Sequence, residues 1–174
     1  MRSGAALLIF ILLFSLAAVV PSGPVEAQEK GYVEPREAEF WEPVGDGVVR
    51  CGLCPRRCVV PPGGRGQCGV RENREGVYYT MTYGNPCAVH VDPIEKKPFY
   101  HFLPTTTAFS VAVAGCNLDC LFCQNWHISQ FSPEETRNYR LPPEKLVELA
   151  ARSGARSVAY TYSEPTIFYE YMLD

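Results

Sequence analysis

The sequence predicts an α/β fold, and three features of the second half of the chain carry that prediction. Residues 108–114 (AFSVAVA) are almost continuously apolar, which is typical of a strand buried on both faces of a parallel sheet. Pro142 and Pro143 open a helix that ends near Gly154, and residues 157–161 (SVAYT) give a second strand. Strand, helix and strand at this spacing indicate a right-handed βαβ unit.

A further helix is predicted to start near Pro165, and the sequence stops at Asp174 without a terminating signal for it. Two parallel strands cannot cover both of their faces, because parallel sheets carry helices on both sides. We therefore expect the 174 residues to be the N-terminal part of a longer protein.

The composition is that of a globular chain with one ordinary domain. Hydrophobic residues make up 47% and charged residues 20%, so the chain can bury a core and is not expected to be disordered. Sixteen basic and nineteen acidic side chains give a net charge of −3, which lacks the basic excess of proteins that bind a phosphate backbone. We expect no nucleic-acid partner.

Residues 1–27 have the layout of a signal peptide or a membrane anchor. Arg2 precedes an apolar stretch at residues 5–20, which is interrupted only by Ser15 and is followed by prolines and a glycine. The stretch is slightly long for the apolar core of a signal peptide and shorter than the ~20 residues that span a bilayer. The sequence therefore predicts export, or membrane association through residues 5–20, with a cytoplasmic location as the alternative.

Two segments separate this leader from the α/β part. Residues 28–50 are acidic and contain proline, and we interpret them as a linker that docks locally. Residues 51–104 form a small, irregular, cysteine-rich region, in which residues 77–83 and 87–91 are predicted to pair as a short hairpin. The α/β part then occupies residues 105–174.

Four of the eight cysteines, Cys51, Cys54, Cys58 and Cys68, lie in the cysteine-rich region. They are four soft ligands in a segment too poor in apolar residues to order itself. Their spacing is compatible with a structural zinc site, with a second iron–sulfur cluster that relays electrons, and with disulfides. Cys87 stands alone, and we interpret it as a small buried hydrophobic residue.

A second group, Cys116, Cys120 and Cys123, follows the first predicted strand directly in the sequence GCNLDCLFC. In parallel α/β folds, binding sites form at the carboxyl ends of strands. Three bunched thiolates leave one metal coordination position open, which suits a cluster that also binds a substrate or cofactor. The alternatives are a zinc site completed by a distant ligand such as His127, and free thiols that merely pack.

The CxxxCxxC spacing of this second group, with Phe122 before the last cysteine, resembles the signature of the radical S-adenosylmethionine (SAM) enzymes. Longer segments resemble the radical SAM enzyme of the AmmeMemoRadiSam system, a relative of the pyruvate formate-lyase activating enzymes. These segments are CGLCPRRC at 51–58, DPIEKKPFYHF at 92–102, CQNWHISQ at 123–130 and YTYSEPTIFYEY at 160–171. The resemblance covers residues 40–174.

The resemblance implies that residues 105–174 are the start of a radical SAM partial (βα) barrel. It also implies a 4Fe–4S cluster on Cys116, Cys120 and Cys123, with the amino and carboxylate groups of SAM on the fourth iron. Phe122 would lie beside the adenine of SAM.

Ser163 and Glu164 stand where the family has its Gly-Gly-Glu motif, which contacts the methionine ammonium of SAM. Glu164 is the better candidate, because a carboxylate gives a charge-assisted hydrogen bond. The sequence departs from the family here, since Tyr162 and Ser163 replace the two glycines. Without the resemblance, Glu164 is an acid at the N-terminus of a helix, and the two roles are compatible.

The activity that the resemblance implies is reductive cleavage of SAM to a 5′-deoxyadenosyl radical, which takes a hydrogen atom from a substrate. It implies an external one-electron donor and the partner proteins of the AmmeMemoRadiSam system. We expect the 174-residue chain alone to be inactive, because the wall that closes the barrel would lie beyond it. The alternative function is a non-catalytic iron–sulfur or zinc protein with a structural or electron-transfer role.

Asp92, Glu95, Lys96, Lys97 and His101 form a charged segment near the end of the cysteine-rich region. Charge runs of this kind are usually a solvated face. The resemblance adds a role in closing the barrel or in meeting the substrate.

Overall fold

The computed structural model describes residues 27–174. Its strands are β1 (Glu29–Lys30), β2 (Arg36–Glu37), β3 (Trp41–Gly45), β4 (Val48–Cys51), β5 (Val59–Val60), β6 (Arg71–Arg74), β7 (Val77–Thr80), β8 (Ala88–Pro93), β9 (Thr107–Ala112), β10 (Arg137–Asn138) and β11 (Ser157–Tyr160). Its α-helices are α1 (Trp126–Ser129), α2 (Pro143–Arg152) and α3 (Tyr169–Leu173), and single 3₁₀ turns lie at Ile94–Lys96 and Pro165–Phe168.

The α/β part is built on a three-stranded sheet in the order β11-β9-β8. Strand β11 runs parallel to β9, with Ser157 opposite Ala108, and helix α2 lies between them in the chain. The predicted strand–helix–strand unit is therefore confirmed. On its other side β9 pairs antiparallel with β8, with Ala88 opposite Ala112, so the sheet is mixed and not purely parallel. Strand β9 is the central strand of this sheet, which explains why residues 108–112 are buried along their whole length.

Helix α2 starts and ends where the sequence predicts. Pro143 occupies its first turn, where a missing N–H costs no hydrogen bond. Leu146 and Ala150 are buried in the main hydrophobic cluster, together with Val111 of β9. Gly154 follows the helix with a φ of +75°, a left-handed conformation that glycine adopts at helix C-termini without strain.

The hairpin predicted between residues 77–83 and 87–91 is wrong. Strand β7 pairs instead with β6, through the turn at Glu75 and Gly76, and β8 pairs with β9 of the α/β part. Strand β8 thus leaves the cysteine-rich region and becomes an edge of the main sheet, because the apolar edge of β9 offers it a longer partner.

Residues 28–50, expected to be a linker, contribute strands to three small sheets. Strand β1 pairs with β10, β2 with β7, and β3 with β4. The sheets β2-β7-β6 and β3-β4-β5 frame a second hydrophobic cluster, whose buried members are Ala38, Val49, Cys51, Val60 and Tyr78. The segment is therefore part of the packed structure of the cysteine-rich region.

A buried ion pair joins the cysteine-rich region to the α/β part. The Arg71 guanidinium lies 2.8 Å from the Glu170 carboxylate, and the two side chains are only 1% and 2% exposed. The backbone of Glu39 also contacts this pair: its N–H donates to Glu170 and its carbonyl accepts from Arg71. The pair thus connects β6, the chain before β3, and α3.

The described residues contain one parallel strand pair, β9 and β11, so the partial barrel that the resemblance implies stays a prediction. Across residues 27–174, no helix is both long and apolar enough to cross a membrane. The predicted leader at residues 1–27, with its apolar stretch at residues 5–20, lies outside the described residues apart from Ala27.

Candidate functional site

Residues 116–123, named here the cysteine loop, leave the sheet at the carboxyl end of β9. Gly115 makes the exit with a φ of +84°, and its N–H donates to the carbonyl of Ile128 at 2.9 Å, which closes the base of the loop. Within the loop, the Cys123 N–H donates to the Cys120 carbonyl at 3.1 Å. The three cysteines therefore lie on one short loop at the sheet edge where parallel α/β folds build their sites.

The side chains of the cysteine loop face outward to different degrees. Cys120 is exposed, whereas Cys116 and Cys123 are half-buried, and the Cys123 sulfur lies 3.3 Å from the Ser129 hydroxyl. Phe122 is 90% exposed, which is unusual for a large apolar side chain. The alternative of thiols packed in the interior does not describe Cys120.

As the side chains lie, no three Cys, His, Asp or Glu side chains within residues 27–174 stand in position to hold a metal ion. His127, the distant ligand considered for a zinc site, is exposed on α1. The donor set of the cysteine loop nevertheless fits a 4Fe–4S cluster with one open iron, because three soft thiols come from a single short loop and one of them, Cys120, is exposed.

Ser163 and Glu164 follow the carboxyl end of β11, so they lie at the same sheet edge as the cysteine loop. The buried Ser163 hydroxyl donates to the Val113 carbonyl at 2.9 Å, and the Asn125 amide donates to the Tyr162 carbonyl at 3.1 Å. These two bonds tie the turn after β11 to the segments on either side of the cysteine loop.

Glu164 caps the 3₁₀ turn that follows it. Its carboxylate accepts from the Thr166 N–H at 3.3 Å and from the Thr166 hydroxyl at 2.6 Å. The role of helix N-terminal acid is therefore the one that the structure displays. Tyr162, which replaces a glycine of the family motif, has a φ of +68°, a conformation that favours glycine.

The charged segment is not a solvated face at Asp92 and Lys97, whose side chains are 8% and 6% exposed. Asp92 accepts hydrogen bonds from Lys96 and Lys97, both at 2.7 Å, and from the Tyr162 hydroxyl. Burial raises the pKa of the Asp92 carboxyl, but these donors together outweigh it and hold the pKa well below its usual range. Sequence analysis missed this cluster, because a charge run alone does not reveal a partner 70 residues away.

A cavity of about 1140 Å³ opens beside these groups, along the free edge of β11. Lys97, Asn125 and Tyr162 line its polar side. Phe99 and Tyr160 line its apolar side. A large pocket with an apolar wall and a few polar groups is the usual form of a small-molecule site.

Cys51, Cys54, Cys58 and Cys68, named here the four-cysteine cluster, lie around a separate and much smaller cavity in the cysteine-rich region. All eight cysteines of the chain are free thiols in the structure. Cys87 lies apart from both groups; burial raises the pKa of its thiol to about 12, in line with its interpretation as a small hydrophobic residue.

Comparison with known proteins identifies a domain in the second half of the chain. Residues 111–174 match the family model of the radical SAM superfamily. The match begins within β9 and contains the cysteine loop, α2, β11 and the turn with Ser163 and Glu164. The α/β part of the chain is thus similar to a radical SAM domain.

Similar curated proteins extend the comparison to the cysteine-rich region. An uncharacterized protein of Methanocaldococcus jannaschii is 51% identical over 139 residues, which are 80% of this chain and 42% of the relative. A second uncharacterized protein of that organism is 28% identical over 142 residues, which are 78% of this chain and 37% of the relative.

A relative with a named activity matches a shorter stretch. The 7-carboxy-7-deazaguanine synthase of Rhodopirellula baltica is 38% identical over 65 residues, which are 37% of this chain and 24% of that enzyme. The chain therefore spans less than half the length of each of these relatives. No solved structure matches it significantly.

Proposed function

We propose that this protein is a radical SAM enzyme whose cysteine loop holds a 4Fe–4S cluster on Cys116, Cys120 and Cys123. The observation that carries the proposal is the radical SAM match over residues 111–174, which includes the cysteine loop at the carboxyl end of β9. When bound, the cluster supplies the electron that cleaves SAM reductively to a 5′-deoxyadenosyl radical, which abstracts hydrogen from a substrate. An external one-electron donor is required, because such a cluster works at the reducing end of the range of iron–sulfur reduction potentials.

The residues around the cysteine loop have separate tasks in this proposal. Phe122 is free to cover the adenine of SAM, since its ring is exposed. Ser163 holds the turn after β11 against Val113, and Glu164 offers a carboxylate to the methionine ammonium. A charge-assisted bond of that kind contributes about 1.5–3 kcal/mol.

The large cavity along β11 is the proposed place for the substrate. Phe99 and Tyr160 give it an apolar wall, and Asp92 holds the Lys97 ammonium and the Tyr162 hydroxyl, which also belong to its lining. The hydrogen bonds of Asp92 with Lys97 and Tyr162 thus fix the position of the turn that carries Ser163 and Glu164, because Tyr162 immediately precedes these two residues.

The finer assignment, also proposed, is to the radical SAM enzyme of the AmmeMemoRadiSam system. The long motifs at residues 51–58, 92–102, 123–130 and 160–171 support it, and the partner proteins of that system are the proposed partners.

Iron binding and SAM affinity test the proposed function. Anaerobically reconstituted protein is expected to bind ~4 irons at the cysteine loop, and Cys120→Ser to lose most of them, whereas the control Cys87→Ala keeps them. Glu164→Gln, which retains a capping oxygen, is expected to weaken SAM binding about tenfold, and the exposed control Glu144→Gln to leave it unchanged. Iron retained by Cys120→Ser would contradict the cluster assignment.

A further inference from the structure

The four-cysteine cluster surrounds a single cavity at the junction of the cysteine-rich region and the α/β part. All four cysteines line this cavity. Arg71 and Tyr78 line it from the sheet β2-β7-β6, and Asn117 lines it from the cysteine loop. Sulfurs that are separated by up to 17 residues in the sequence are thus brought to one place.

The polar side chains of this cavity have atoms without partners. Nε of Arg71, Oη of Tyr78 and Oδ1 of Asn117 are buried and make no hydrogen bond within the part of the chain that the structure describes. The three residues are 1%, 0% and 7% exposed. Because buried polar groups are almost always satisfied, three such atoms around one cavity indicate that it is built for a polar or ionic ligand.

The Tyr78 hydroxyl and the Cys58 sulfur both lie close to Gly66. A Cβ added at Gly66 would be 2.8 Å from the Tyr78 oxygen and 3.8 Å from the Cys58 sulfur, so both atoms border the same point. The N–H of Gln67 donates to that sulfur at 3.4 Å. One sulfur of the cluster therefore already accepts a backbone hydrogen bond at the wall of the cavity.

The size of the cavity distinguishes between the metal sites that four cysteines can form. Its volume is about 10 Å³, which is close to that of one water-sized sphere. A cluster of four irons and four sulfides is far larger than this space. A single ion with four thiolate ligands fits it better, once the cysteine side chains of the described region, which do not stand in ligating positions as they lie, turn toward one another.

We propose that the four-cysteine cluster binds one zinc ion in a closed, tetrahedral, structural site that is separate from the cysteine loop. The site also fixes the cysteine loop through Arg56, which lies in the sequence between the proposed ligands Cys54 and Cys58. Arg56 donates from Nε to the Asn117 carbonyl at 2.8 Å and forms an ion pair with Asp119 at 3.4 Å, and both of these residues belong to the cysteine loop. The ion thereby holds the cysteine-rich region against the loop that carries the other three cysteines. The proposal does not depend on the proposed function.

Metal analysis of the full chain without the cysteine-loop thiols tests this site. The triple variant Cys116→Ser/Cys120→Ser/Cys123→Ser, purified from medium that contains zinc and iron, is expected to carry ~1 zinc per chain by mass spectrometry of the metals. Adding Cys54→Ser and Cys58→Ser to this background is expected to lower zinc at least about fivefold, whereas adding Cys87→Ala leaves it unchanged.

Cobalt substitution gives a measurement that needs no change in the four-cysteine cluster, in case its variants fail to fold. The triple variant loaded with Co²⁺ is expected to show the intense visible absorption and sulfur-to-metal charge transfer of a tetrahedral tetrathiolate site. Iron and sulfide in place of zinc, disulfides among the four cysteines, or zinc that persists without Cys54 and Cys58 would each overturn the proposal.

Discussion

Glu170 is the carboxylate on which the junction between the two parts of the chain depends. It accepts from the buried Arg71 guanidinium at 3.1 Å and from the Glu39 N–H at 2.8 Å, so both of its oxygens are used. A buried ion pair gives little net stability over an apolar pair, but the loss of one partner leaves the other charge unpaired. The effect of substitution is therefore expected to be much larger than for a surface pair.

Glu170→Ala is predicted to lower the free energy of unfolding by roughly 3–5 kcal/mol, because it leaves Arg71 charged and buried. Glu148→Ala is the matched control: its pair with Arg152 is exposed, and its loss is expected to cost about 0.5 kcal/mol or less. Urea denaturation of the two variants measures both values. Equal costs for the two variants would contradict a structural role for the buried pair.

Gly115 is the residue at which the element β9 meets the cysteine-rich region. A Cβ there would lie 2.3 Å from Cγ1 of Val70 and 2.6 Å from the Cys68 carbonyl, and the backbone has a φ of +84°. No side chain fits without moving the strand that follows Cys68. Gly115, at the start of the cysteine loop, is thus packed directly against Cys68, one of the proposed zinc ligands.

Gly115→Ala is predicted to disturb both cysteine groups at once. We expect the variant to lose several-fold in iron binding at the cysteine loop and to unfold at lower denaturant concentration than the wild type. Gly154→Ala, which also has a positive φ but meets no neighbouring atom, is the control for backbone strain alone and is expected to retain its iron. Iron analysis of both proteins decides whether the contact matters.

The elements that sequence analysis predicted well are those that depend on local patterns. Helix α2 has its start, its apolar face and its terminal glycine within one short stretch, and β9 and β11 are marked by their apolar residues. The pairing of β7 could not be predicted in the same way. Its partner β6 is polar, and the two-residue turn between them uses Glu75 at a φ of +54°, where asparagine or aspartate is the usual signal.

The candidate site was predictable to a similar extent. The carboxyl ends of parallel strands share one edge, and the cysteine loop after β9 and the turn with Glu164 after β11 accordingly lie at the same edge of the sheet. Two contacts of the site region are long-range in the sequence. Asp92 and Tyr162 are separated by 70 positions, and Arg71 and Glu170 by 99. Contacts between residues so far apart follow from the tertiary fold, and a single sequence carries no periodic pattern that would predict them.

At the scale of the whole molecule, ion pairs tie the cysteine-rich region to the chain after the cysteine loop. Arg65 binds Glu72 and Glu134, each at 2.5 Å. The hydrogen bond from Arg65 lowers the pKa of Glu134 to about 2, against a partly opposing effect of burial. Asp92 adds a second carboxylate whose pKa is depressed.

Stability is therefore predicted to fall in acid. A carboxylate whose pKa is lower in the folded state stabilises the protein above its unfolded pKa, and that contribution is lost as the pH decreases through the folded pKa. For Glu134 the window runs from about 4.5 to about 2. Glu134→Gln is expected to be less stable than the wild type by about 0.5–1 kcal/mol at pH 7, with the difference vanishing at the acid end of this window. Denaturation at several pH values measures it, and a difference independent of pH would refute the assignment.

The central claim is that the cysteine loop holds an iron cluster with one corner open to SAM. The most direct measurement is electron paramagnetic resonance of the anaerobic, reduced, iron-loaded protein with and without SAM. We predict that SAM shifts the signal of the cluster, whereas adenosine, which lacks the methionine group, leaves it unchanged. A fully iron-loaded protein whose signal is indifferent to SAM, or a cysteine loop that carries zinc alone, would contradict the claim.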